Sequence, residues 1–432
     1  MTELSLPGPT PRPSARGSVL YRLVWKWHFL ASLYVLPFLA FLSITGGLYL
    51  YKPQIEAWLY ADRVHVTAPA GAQMIALEQQ IALLEATRIR GITLSGDGTS
   101  STMIEHDDAD GVRSIAWIDP YVGEVLASVA RDDMAMEILR NLHGELLLGD
   151  VGTKFVELAA HWAIVMFVTG VILWWPRGAR QLTDAVALPR GSLRERSWWR
   201  ETHLFTGFLA TVLIVPILIT GLPWTDVWGG GLSQVQQATG QDSRSLRFSG
   251  DAPSSTASDG QTIAYAEIVA IAEAEGLTYP LEMRPPRRDG DAFWIRSASP
   301  HRSDQTELVI DRYSGALLAR VDFADNPPVA RAVSWGISFH QGEAYGWLNV
   351  AQNTLAALLG VILSISGFVA WWMRRPAGSL GVPKAPEARL GTGIFMVAIA
   401  LMMLFPLMGG SLLVVLALDR LVFRRLGWFQ TA

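Results

Sequence analysis

The sequence predicts an α-helical integral membrane protein built from a duplicated unit of span, external α/β domain and span. Three observations predict it. Half of the 432 residues are hydrophobic and only 17% are charged. The apolar residues gather in four long runs, Phe29–Tyr51, Leu158–Trp175, Leu204–Trp224 and Asn349–Trp372. The second half of the chain repeats the spacings of the first. Each run is close to the ~20 residues that a helix needs to cross a bilayer. His161 is the only histidine or charged residue inside any of them.

The elements follow in order. Residues 1–18 form a tail and 19–51 the first transmembrane helix. Residues 52–131 make the first external domain, and 132–176 a surface helix with the second span. A loop, 177–201, leads to the third span, 202–224. Residues 225–325 make the second external domain, and 326–373 a surface segment with the fourth span. After a loop, 374–389, comes a C-terminal hydrophobic segment, 390–423. Pro406 and Gly409-Gly410 interrupt it, so it reads as a kinked helix or a hairpin that re-enters the membrane. The first span is too long for the apolar core of a signal peptide, and no cleavage site follows it, so it is expected to stay as an anchor.

Charge sets the orientation. Arg12, Arg16, Arg22 and Lys26 precede the first span. Arg177, Arg180, Arg190, Arg194, Arg196 and Arg200 lie between the second and third, and Arg374, Arg375, Lys384 and Arg389 follow the fourth. The positive-inside rule makes these segments cytoplasmic. The two long loops are then external, and residues 52–150 carry 7 basic against 16 acidic residues. Trp174-Trp175 and Trp371-Trp372 fall where an aromatic belt is expected. The arginines of "DRLVFRRLGW" fit the rule only if the C-terminal segment does not cross once more. No nucleic-acid partner is expected, and membrane lipid is.

The duplication rests on gapless correspondences. His28 precedes Thr45-Gly46 by the interval that separates His203 from Thr220-Gly221. His143 precedes Trp174-Trp175 as His340 precedes Trp371-Trp372, and Thr169-Gly170 matches Ser366-Gly367 in between. "IDPYVGEVL", 118–126, aligns with "IDRYSGALL", 310–318, and Gln73–Ala86 with Thr262–Glu275. Recurrence at fixed spacing is the mark of a repeated structural unit. Each unit has two spans, so both halves insert the same way up, about a pseudo-twofold axis along the membrane normal. His28 and His203 then share a depth near the cytoplasmic face. His143 and His340 share one near the external face.

The external domains read as small α/β units. Asp-x-Tyr-x-Gly at 119–123 and 311–315 reads as a turn between strands, with glycine supplying a positive φ. "PPRRDGDAFW", 285–294, contains an Asp-Gly turn signal. No phosphate-cradling loop or dinucleotide fingerprint opens a helix.

Paired histidines suit a haem, because imidazole is a good axial ligand and two of them leave no open position on the iron. Arg22, Lys26 and Arg200 lie close in sequence to His28 and His203 and suit haem propionates. One histidine at a membrane boundary is most simply an interfacial residue bonded to a carbonyl or a headgroup. Four at symmetric positions are harder to explain that way. Zinc fits poorly, since there is no cysteine and no clustered carboxylate. The lack of cysteine also removes Fe–S clusters and c-type haem attachment. His161 stands inside the second span against Leu358 in the repeat. As an ionisable residue within the membrane it is a functional candidate, either as a haem ligand or as a hydrogen-bonding partner. His65, His106 and His301 belong to the external domains and are expected to be solvated.

The external units "AWIDPYVGEVL" and "LVIDRYSGALL" resemble PepSY domains. The stretches "LHGELLLGDVG…VTGVILWWPRG", "HLFTGFLATVLIVPILITGLPW" and "SFHQGEAYGWL…GFVAWWMRRP", with the tail "LFPLMGGSLLVVLALDRLV", resemble the spans of PepSY-associated transmembrane proteins. The resemblance runs from about residue 18 to 423. That family includes iron-regulated inner-membrane ferric-siderophore reductases with two b-type haems. It implies His28, His143, His203 and His340 as haem ligands and periplasmic external domains. It implies a ferric siderophore as substrate. With no flavin or nicotinamide site in the sequence, the electron donor is expected to be separate: the quinol pool or a partner protein. Reduction loosens the chelate because Fe²⁺ is a poorer match than Fe³⁺ to hard oxygen donors. At His161 the family more often has a small residue. PepSY units also resemble modules that regulate peptidases, so a membrane scaffold without catalysis is the alternative. A transporter fits less well, because the spans lack polar groups to line a path.

Overall fold

The computed structural model describes residues 15–176, 187–246, 253–255, 260–288, 290–382, 392–418 and 421. Arg12, Arg177, Arg180, Lys384, Arg389 and the arginines of "DRLVFRRLGW" lie outside the described residues. The chain divides into two compact units. One is helical and comprises residues 1–44, 150–228 and 354–432; the other carries the sheet and comprises 45–149 and 229–353.

The helices are α1 (Ala15–Tyr49), α2 (Lys52–Leu59), α3 (Ala61–Val64), α4 (Leu77–Ala82) and α5 (Ala135–Glu145). Then come α6 (Asp150–Trp174), α7 (Arg196–Gly221), α8 (Val227–Ala238), α9 (Tyr265–Ala274) and α10 (Pro328–Gln341). The last are α11 (Trp347–Trp372), α12 (Thr392–Leu404) and α13 (Pro406–Leu418). Four of them, α1, α6, α7 with its following turn, and α11, are long and apolar enough to cross a membrane. They coincide with the four runs of the sequence, and the protein is a membrane protein. The tryptophan pairs divide their work. Trp175 and Trp372 are exposed, as an aromatic belt requires. Trp174 turns inward and stacks on Phe208 at 4.5 Å between ring centroids.

The C-terminal segment is a hairpin. Phe405 alone separates α12 from α13. A Cβ on Gly409 would come within 3.0 Å of Met402, so the two helices touch backbone to backbone there. Each has 13 residues, or about 20 Å of helix, short of the ~30 Å hydrocarbon core. Phe405 and Met408 are buried against Ile164 of α6, Leu222 and Trp228, and Trp162 Nε1 donates to Ser411 Oγ at 3.1 Å.

The sheet unit holds β1 (Arg88–Leu94), β2 (Thr102–Asp107), β3 (Arg113–Asp119), β4 (Glu124–Ala130), β5 (Leu281–Arg284), β6 (Phe293–Ser297), β7 (Thr306–Ile310) and β8 (Leu317–Asp322). Their order is β4-β3-β2-β1-β5-β6-β7-β8. Two four-stranded meanders thus join edge to edge. β1 and β5 pair antiparallel through Ile92–Met283, Thr93–Glu282 and Leu94–Leu281. Sharing these edges removes two unpaired strand edges at once. Ile92, Ile104 and Ile118 from one meander and Met283, Ile295 and Leu308 from the other lie on one face with α9 residues Ile268 and Ala272, all buried. Alternation of side chains along a strand puts them there. Replacing Ile104, fully buried, by alanine is expected to lower the stability of this unit by about 2–5 kcal/mol in denaturant unfolding.

Both Asp-x-Tyr-x-Gly turns form as the sequence predicts. Asp119 Oδ1 accepts the Tyr121 and Val122 N–H groups at 2.8 and 3.2 Å. Asp311 Oδ1 accepts those of Tyr313 and Ser314 at 2.9 and 2.8 Å. Gly123 and Gly315 close them with φ of +67° and +70°.

Candidate functional site

In the helical unit, α1, α6, α7 and α11 surround a cavity of about 790 Å³ whose lining includes His28 and His203. That volume is within the ~300–1,000 Å³ usual for ligand and cofactor pockets. The rest of the lining is mostly apolar and aromatic, with Phe29, Phe167, Trp174, Phe208, Phe368 and Trp371.

Hydrogen bonds define which nitrogen each ring can offer. The Thr169 hydroxyl donates to Met166 O at 3.0 Å. Its oxygen therefore accepts from His28 Nδ1, 3.0 Å away. Leu363 O can only accept, so His203 Nδ1 donates to it at 3.2 Å. In both rings Nδ1 carries the proton and Nε2 holds the lone pair. A histidine whose other N–H is held by a carbonyl or similar acceptor is the usual form of a metal ligand.

Glycines let the rings lie against neighbouring helices. A Cβ on Gly170 would stand 3.3 Å from His28 Cε1, and one on Gly367 would stand 3.0 Å from His203 Cε1 and Nδ1. These belong to the Thr-Gly and Ser-Gly pairs that the duplication brought out.

The cations of the lining are Arg196, Arg200 and Arg374. Arg22 and Lys26 are not among its residues. Tyr21, Trp25, His28 and Ser32 line the cavity from α1 at helical spacing. Arg196 was legible one turn before Arg200 on the same face. Arg374, which lies over the Trp25 ring at 4.8 Å, left no signal beyond its nearness to the span.

The second histidine pair belongs to the sheet unit. His143 lies on α5, the amphipathic helix expected of "EILRNLHGELLLG". Its Nδ1 is 2.9 Å from Thr45 Oγ1, and a Cβ on Gly46 would come within 2.9 Å of its Cε1. Desolvation first, and His340 second, push its pKa down to about 4. The ring is therefore neutral at neutral pH, with a lone pair to give. His340 lies in the last turn of α10, which ends at Gly342 with φ of +82°. Phe339 O accepts from Asn349 Nδ2 at 3.2 Å and Asn353 Nδ2 at 2.7 Å, and Asn353 also reaches His340 O at 3.2 Å. The two asparagines fix the carbonyls beside His340, and sequence reasoning passed over them. Beyond α5, Leu146 and Leu147 have φ of +54° and +58°, a strained conformation for residues with a Cβ.

His161 is outside the cavity lining. It is fully buried on α6 beside the Phe405 ring, with its Nε2 3.7 Å from Glu157 Oε1. Of the external histidines, His65 and His301 are exposed as expected. His106 is buried, because β2 is an interior strand, and its Nε2 reaches Ser128 Oγ on β4 at 3.3 Å. Among the described residues no group of three or more His, Asp or Glu could hold a metal ion. The paired imidazoles are the nitrogen donors that this cavity offers. An apolar cavity holding two Nε2 donors, with arginines in its lining, fits an iron macrocycle.

A family model described as "PepSY-associated TM region" matches residues 25–374. No curated protein matches the chain.

Proposed function

The chain belongs to the PepSY-associated transmembrane family, and from that premise we propose that it is an inner-membrane, two-haem reductase of ferric siderophores. The observation that carries this reading is that His28 and His203 line one cavity, each with its Nδ1 held by a neighbouring oxygen. Gly170 lies against His28, and its repeat partner Gly367 lies against His203. That equivalence supports a duplicated chain with a pseudo-twofold axis along the membrane normal. His28 and His203 would hold one b-type haem, and His143 and His340 the other. Bound there, the haems supply one-electron transfer between a donor and ferric iron.

The protein's own groups do the rest. Thr169 and Leu363 O keep the two rings in the ligating tautomer and orientation. Arg196, Arg200 and Arg374 neutralise propionates by charge-assisted hydrogen bonds. Asn349 and Asn353 hold the end of α10, and with it His340. The sheet unit, in the periplasm, receives the siderophore. The donor is the quinol pool or a separate protein.

The test is the protein's colour. Purified protein from cells supplied with a haem precursor should show b-type bands on reduction with dithionite. Carbon monoxide should barely change them, since bis-histidine ligation leaves no vacant position. A ferric siderophore should reoxidise the reduced protein. A colourless protein that binds no added haemin would end this reading. Gly367→Ala adds a methyl 3.0 Å from His203. It is expected to weaken haem retention at that site while the thermal unfolding of the protein is kept.

A further inference from the structure

We propose that α6 carries a hydroquinone-oxidation site, with His161 and Glu157 as its proton acceptors. The inference deepens the proposed function, because it assigns the electron donor and its place.

Glu157 and His161 are both fully buried within a span. Neither ring nitrogen of His161 has a hydrogen-bond partner among the described residues. A buried polar atom without a partner is costly, and in a native protein it points to a missing ligand, water or ion. Glu157 is held firmly. Its two oxygens accept the N–H groups of Val227 at 3.0 Å and Trp228 at 2.9 Å, at the N-terminus of α8. One oxygen also stands 3.7 Å from His161 Nε2. The pair is an acid-base couple at membrane depth.

Three further features narrow the ligand. The Phe405 ring lies against the imidazole, 4.8 Å between centroids. The imidazole therefore already takes a flat aromatic ring against it. Phe405 sits at the turn of the α12–α13 hairpin, whose Phe395, Met396, Val397 and Met403 are exposed, an apolar flank suited to lipid. A hydroquinone is the class of two-electron donor that dissolves in lipid, carries such a ring and has hydroxyls to give. Ala163 and Met166, within about one and a half turns of His161 on α6, line the cavity of His28 and His203. The donor site thus adjoins the place where electrons enter.

A proton path leads away. Asp150, Lys154, Glu157 and His161 recur at spacings of four, three and four, which puts them on one face of α6. Lys154 is half-exposed and pairs with Asp226 at 3.0 Å. The stripe runs about 16 Å from the start of the helix to His161.

The chemistry balances. Each hydroquinone loses two O–H protons and two electrons and becomes a quinone. The two electrons would leave one at a time, each to a ferric haem held by one of the histidine pairs. The first proton goes to His161 and passes to Glu157 before the second leaves the ring, and both exit along the stripe.

The experiment uses the full-length protein in nanodiscs. In the first arm an azidobenzoquinone is photolysed on wild type and His161→Leu. Leucine is the residue at the equivalent place in the repeat, Leu358, so this variant should fold. Label on peptides covering 150–175 or 392–418, lost in His161→Leu, is expected, and this arm needs no haem. Label elsewhere, or label that His161→Leu leaves unchanged, overturns the proposal. In the second arm duroquinol reduces the haem in a stopped flow. His161→Leu and Glu157→Gln should keep the dithionite-reducible haem of wild type. Their reduction by duroquinol should fall by about a hundredfold, as loss of a positioned proton acceptor implies. Wild-type rates in both variants, or no reduction of wild-type haem by duroquinol, would also overturn it. If no haem binds at all, the function proposed above fails, and the crosslinking arm alone decides the site.

Discussion

His28→Ala and His203→Ala should each remove one of two haems and leave the other. The two rings share a cavity, so loss of either leaves a one-sided grip that a b-type haem, with no covalent tether, does not survive in detergent. Each substitution also deletes one hydrogen bond, to Thr169 or to Leu363 O, worth only about 1 kcal/mol. The fold should therefore persist, as circular dichroism and a monodisperse elution profile would show. Electron flow from any donor entering at this site should stop. Full haem content in both variants would mean that the cavity is not a haem site.

His143→Ala and His340→Ala should remove the other haem and abolish reduction of a ferric siderophore, while the cavity haem stays reducible by dithionite. The reason is that different residues hold the two pairs. His143 is fixed by Thr45, His340 by the asparagines at the end of α10, and neither lines the cavity of His28 and His203. His161→Leu serves as the control. It should keep both haems, since His161 faces Glu157 and Phe405 rather than either pair. Loss of a haem in His161→Leu with full retention in His143→Ala would exchange their roles.

The spans were legible because length and apolar content alone decide them. The paired histidines were legible because the repeat marks them out from the other four. The hairpin at 392–418 was one of two readings, and only the contact of Gly409 with Met402 decides between them. The merging of the two meanders could not be read. Pairing of β1 with β5 depends on two edges far apart in sequence, and each strand carries the same alternation whether its edge is shared or free. Helical spacing could have found Arg196, one turn before Arg200. Glu157 and His161 were one turn apart in plain view. Their partners, the start of α8 and Phe405, come from distant segments and could not be read from the sequence.

The most direct measurement is haem per chain together with the spin state of its iron. Pyridine haemochrome analysis with low-temperature electron paramagnetic resonance on the purified protein supplies both. Two b-type haems per chain, both low-spin with bis-histidine signals, one lost in His28→Ala and the other in His143→Ala, is the predicted result. A high-spin ferric signal from a five-coordinate haem, or one haem that all four single histidine variants remove together, would contradict two separate histidine-paired sites.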